Sequence, residues 1–77
     1  MSGRMQPGER VLLDWFELEA TGTGYRLWSA DSAVPVADVH ALPERCRVCM
    51  LRSGLEFHCA SLVNAERKIA ACEYLGL

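Results

Sequence analysis

Residues 46–77, CRVCMLRSGLEFHCASLVNAERKIAACEYLGL, constrain the fold more than any other stretch of this chain. Arg52-Ser53-Gly54 is a turn signal between two short β-forming runs, and an amphipathic segment follows the second run with no linker between them. Stepping outwards by two collects Cys46, Val48 and Met50 on one face, together with Leu55, Phe57 and Cys59. The other face collects Arg47, Cys49 and Leu51 against Glu56 and His58. A two-residue change of register leaves that partition intact. One apolar face and one mixed face describe a half-buried antiparallel pair.

The segment after the hairpin reads as a helix. Leu62, Ala65, Ile69 and Cys72 recur at helical spacing, with Val63 and Leu75 at the edges of the stripe. Asn64, Arg67, Lys68 and Glu73 lie mostly away from it. Ser61 suits the N-cap, because its hydroxyl accepts from an orphan amide of the first turn. Gly76 suits a left-handed C-cap, where a β-carbon is penalised. With a dry hairpin face next to a dry helical stripe, the economical arrangement lays the helix across the sheet.

Upstream, Arg10–Ala20 reads as a strand with Val11, Leu13 and Trp15 on one side and Leu12, Phe16 and Leu18 on the other. Thr21-Gly22-Thr23-Gly24 is a turn, and Tyr25–Ser29 is a β-like run that completes a first hairpin of roughly 10–20 with 24–30. Residues 31–45 read as a connector. Val34-Pro35-Val36 is extended, and Asp38 caps a short turn that Pro43 closes. Residues 1–9 read as a flexible N-terminal arm, because Ser2, Gly3, Pro7 and Gly8 oppose regular structure. The expected fold is α+β: one domain over 10–77, a four-stranded antiparallel sheet of two hairpins, and one C-terminal helix on one face.

This arrangement leaves the other face of the sheet uncovered. Leu12, Phe16 and Leu18, with Trp28 and Leu51, are expected there as a contiguous apolar patch, which on a small protein marks a contact surface for a protein partner or a second copy. The four cysteines offer an alternative, a zinc-stabilised binding module using Cys46, Cys49, Cys59 and Cys72, with His58 as a substitute ligand. Against it, the spacing fits no familiar zinc module, and the alternation turns Cys49 away from the other three. The expected cofactor is therefore none, and the cysteines serve as small hydrophobes.

Cys49 and His58 share a strand face as a thiol–imidazole pair, but a chain of 77 residues has little from which to build a pocket and an oxyanion hole. A C-x2-C redox pair belongs at a helix start, and this one opens a strand. Phosphate-loop and dinucleotide motifs are absent. Nucleic acid is an unfavourable partner: the net charge is −2, and Glu17 and Glu19 sit on the first strand. No apolar run approaches the ~20 residues a bilayer demands, and MSGRMQPGER lacks the character of a signal peptide, so a cytoplasmic location with reduced thiols is expected. Small size, a missing catalytic set and a high apolar share resemble compact inhibitor or adaptor proteins of bacterial mobile elements. The expected function is that of a small, non-enzymatic interaction module, acting through its exposed sheet face.

Overall fold

A computed structural model describes residues 9–31 and 34–77. The arm expected over residues 1–9 lies outside these, apart from Glu9. Six strands follow one another as an antiparallel meander: β1 (Arg10–Leu12), β2 (Phe16–Ala20), β3 (Gly24–Ser29), β4 (Pro35–Leu42), β5 (Arg45–Met50) and β6 (Glu56–Cys59). The helix α1 (Leu62–Leu75) then packs against β4, β5 and β6. The class is α+β with a C-terminal helix on an antiparallel sheet, as expected, but the sheet has six strands rather than four.

Both extra strands come from segments that read differently in the sequence. Residues 10–20 are two strands, because the chain reverses at 13–15, where the Leu13 amide donates to the Phe16 carbonyl at 2.7 Å. Residues 35–42, expected as a connector with a capped turn, form the longest strand and pair with both β3 and β5. Pro35 opens that strand, a position where the missing N–H is tolerated. Pro43-Glu44 is simply the turn into β5.

Within its strands the second hairpin has the expected faces, but Leu55, expected on the apolar face, precedes β6 and is 42% exposed. Cys46 opposes Cys59, Val48 opposes Phe57, and the Met50 amide donates to the Leu55 carbonyl at 2.8 Å. The inner face carries this apolar set across the sheet. Tyr25, Val39, Val48 and Phe57 form one cross-strand row, and Leu18, Leu27, Ala37 and Met50 form the next. A bulge between Leu27 and Trp28 puts Val36 into the core beside Ala37. Gly24 is required where β3 meets β4, since a β-carbon there would land on the Val39 carbonyl oxygen.

The helix caps are as expected. Ser61 Oγ accepts from the Asn64 amide at 3.3 Å, and Gly76 adopts φ 78°, with its amide turned to the carbonyls of Cys72 and Glu73. Ala65 and Ile69 are fully buried over the sheet. Glu66 is buried too, at 5% exposure, and its Oε2 accepts from the amides of Trp15 (2.8 Å) and Phe16 (3.2 Å). This carboxylate ties the β1–β2 turn to the helix. The start of β2 is thereby brought to α1, and the inner face of β2 joins a core that contains Phe16, Leu18, Ala65 and Ile69.

Candidate functional site

Membership of that core corrects the expected apolar patch. Phe16 and Leu18 are 7% and 6% exposed and lie in the core. Leu12 pairs with Glu17, on the opposite face, and is 69% exposed. The reason is the reversal at 13–15: residues 12 and 16 share a side only if the strand between them is unbroken. Trp28 stands on the outer face opposite Glu17, half-buried. Leu51 lies in the turn after β5, on the wall of a cleft of ≈310 Å³ formed by Ser29, Val34, Pro35, Val36, Arg52 and Glu73. The five residues therefore form no single surface.

Among the described residues nothing covers the outer face, which is largely polar and ordered in cross-strand rows. Arg10, Glu19, Arg26, Asp38, Cys49 and Glu56 make one row. Leu12, Glu17, Trp28 and Pro35 make a second, alongside it. Gly24, His40, Arg47 and His58 make a third, on the other side. Arg45 extends the same face one step past Arg47, opposite Leu42.

The β1–β3 half of this face is internally satisfied. The Arg10 guanidinium lies 3.9 Å from the centroid of the Trp28 ring and 3.3 Å from Glu17 Oε1. Trp28 Nε1 donates to Glu19 Oε1 at 2.7 Å. Arg26 Nε donates to Asp38 Oδ1 at 2.7 Å, and Nη2 donates to Oδ2 at 3.4 Å. The hydrogen bond to Asp38, with that carboxylate's charge, pushes the Arg26 pKa above its ordinary value; burial opposes the shift slightly, and Glu19 adds to it.

The other half is not satisfied. Among the described residues His40, Arg45, Arg47 and His58 have neither a hydrogen bond nor an ion pair from their side chains, although Asp38, Cys49 and Glu56 stand in the adjacent row. Sequence alternation alone put Arg47 and His58 on one face; only the discovery of β4 adds His40 to them.

The sulfurs are divided as the alternation implies. Cys46 and Cys59 are cross-strand partners on the inner face, and Cys72 packs from the helix against the same core. Cys49 is on the outer face, opposite Asp38 and Glu56. All four are free thiols. Burial pushes the Cys59 thiol above its ordinary pKa; Lys68 pulls it down, while Cys46 and Cys72 push it further up. Cys49 and His58 are diagonal rather than opposed, since His58 faces Arg47. Among the described residues, no group of three or more His, Cys, Asp or Glu side chains is arranged to hold a metal ion.

Glu66 is the residue that sequence reading missed. It is four residues after Leu62 and three before Ile69, so its spacing placed it on the buried stripe, and only its charge concealed that. No helix among the described residues is long and apolar enough to cross a membrane. No protein-family model, curated protein or solved structure matches the chain.

Proposed function

We propose that the protein is a small, non-enzymatic interaction module of the adaptor or inhibitor kind, acting through the outer face of its sheet on a protein partner or a second copy of itself. One observation carries this reading. The helix takes the inner face, and no element among the described residues covers the outer one, which displays Leu12 at one end and unpaired cations at the other. Side chains fixed on a paired sheet lose less entropy on association than those of a disordered segment, which supports this reading. Antiparallel sheets often leave one face solvated, so the unpaired side chains on this face weigh more than its exposure.

The experiment is affinity capture from the native host with three variants. Leu12→Asp and Arg47→Glu alter the outer face, while Tyr74→Asp alters the exposed side of the helix, where Tyr74 is 91% exposed. The expected result is one partner, or the chain itself, that is retained by wild type and Tyr74→Asp and lost with an outer-face variant. A partner lost only with Tyr74→Asp would transfer the function to the helix.

A further inference from the structure

Arginines on the outer face are treated in two ways. Arg10 and Arg26 are each held by a carboxylate, whereas Arg45 and Arg47 are held by none, and His40 and His58 flank Arg47 directly across the strands. The unpaired arginines are thus concentrated at one end of the outer face, in a chain whose net charge is −2. They sit beside an edge of the sheet with which no other strand among the described residues pairs. The order of strands ends at β6, and the Met50 amide to Leu55 carbonyl bond sets which residues turn inwards. By antiparallel alternation, residues 55, 57 and 59 direct their amides and carbonyls to β5, while Glu56 and His58 direct theirs outwards.

We propose that this edge and the two arginines beside it, Arg45 and Arg47, form one site for an extended acidic peptide segment, which adds to β6 as a seventh strand. The inference rests on the outer-face reading above and names the partner's chemistry. Backbone pairing with Glu56 and His58 supplies a sequence-independent part of the binding. The side chain opposite His58 continues the row Gly24–His40–Arg47–His58. A carboxylate at that position meets the His58 imidazole, with Arg47 one strand further in, and a carboxylate two residues along reaches towards Arg45. Glu56 disfavours an acid opposite itself, which fixes the direction in which the acidic residues run. Polynucleotide is the poorer occupant. Trp28, the aromatic on the outer face, is engaged by Arg10 and Glu19 and is not free to stack on bases, and Glu17 and Glu19 repel a phosphate chain crossing the face.

The test uses fluorescence anisotropy with three labelled probes: an octapeptide of Thr with Glu at its fourth and sixth positions, its counterpart with Lys at those positions, and oligothymidylate. The Glu–Thr peptide should bind saturably, weaken with salt, and bind about tenfold or more weaker to Arg45→Glu/Arg47→Glu, where two attractions become repulsions. Both arginines are exposed and unpaired, so that variant should keep the circular dichroism and urea midpoint of the wild type. Equal binding of the two peptides, an unchanged affinity in the double variant, no binding, or tighter binding of oligothymidylate would each overturn the proposal. A partner captured from the host through Leu12 would survive any of those results, so the broader reading fails separately.

Discussion

Glu66 makes the strongest claim on the fold, and removing its carboxylate is the sharpest test of how the start of β2 is held to the helix. Two backbone amides, those of Trp15 and Phe16, depend on Oε2 at 2.8 and 3.2 Å. A hydrogen bond to a charged group contributes about 1.5–3 kcal/mol, and a buried amide left without a partner costs about 1–3 kcal/mol. Glu66→Ala removes both bonds at once. The strand ends can partly relax towards water, so we expect a loss of about 3 kcal/mol. Glu66→Gln keeps an acceptor of the same reach without the charge. Neutral bonds are roughly half as strong, which puts that loss at about 1–1.5 kcal/mol.

These losses are large for this chain. Typical stabilities of about 0.05–0.15 kcal/mol per residue give about 4–12 kcal/mol for 77 residues. Urea unfolding resolves the series: with a slope of about 1 kcal/mol/M, the midpoints should fall by about 3 M and about 1 M. Amide exchange at Trp15 and Phe16 should accelerate in the alanine variant well before global unfolding. A loss under about 0.5 kcal/mol for Glu66→Ala is that of an ordinary surface substitution, and would refute the idea that this side chain ties the start of β2 to the helix. Equal losses for alanine and glutamine would refute the hydrogen-bond explanation in favour of packing.

Three further outcomes are expected. Gly24→Ala forces a β-carbon onto the Val39 carbonyl oxygen and should lower the urea midpoint by an amount equivalent to about 1–3 kcal/mol, whereas Gly22→Ala, with open space at its β-carbon, should cost much less. Cys59, raised in pKa by burial, should react last with iodoacetamide, followed by mass spectrometry, and Cys49 on the outer face should react ahead of it. Because the folded chain holds the Cys59 proton more tightly than the unfolded chain, this group's contribution is intact below the thiol's ordinary pKa of 9.0 and declines as pH rises through the raised value. A urea midpoint that rose across that alkaline window in wild type but not in Cys59→Ser would contradict the sign.

Local signals were sufficient wherever the interactions that decide the structure are local. The turn at Arg52–Gly54, the alternation on either side of it, and the caps at Ser61 and Gly76 all operate over a few residues, and each is found where the sequence placed it. β4 was obscured for physical reasons. Its bulge at Val36 breaks the period of two, so Val36 and Ala37 are both buried, and two prolines bracket it like a loop. Asp38 looked like the cap of a short turn because its true partner, Arg26, is twelve residues away on another strand. The error at Phe16 has the same origin. Leu12 and Phe16 have the parity of one strand, but the reversal between them is stabilised by Glu66, fifty residues distant, and no window of sequence contains both. The candidate site was half legible: Arg47 and His58 were paired on one face, but His40 awaited the strand that carries it.

The order of elements has a consequence for synthesis. Every strand bonds to the one made just before it, so the meander can assemble progressively as the chain leaves the ribosome. Ile69 and Ala65 arrive after all of it. Until then the nascent sheet exhibits Val39, Val48 and Met50 to the solvent, with two open margins, in the state most prone to stick to its neighbours. A chaperone or a pause in translation near the end of β6 would matter more to this protein than its modest size suggests.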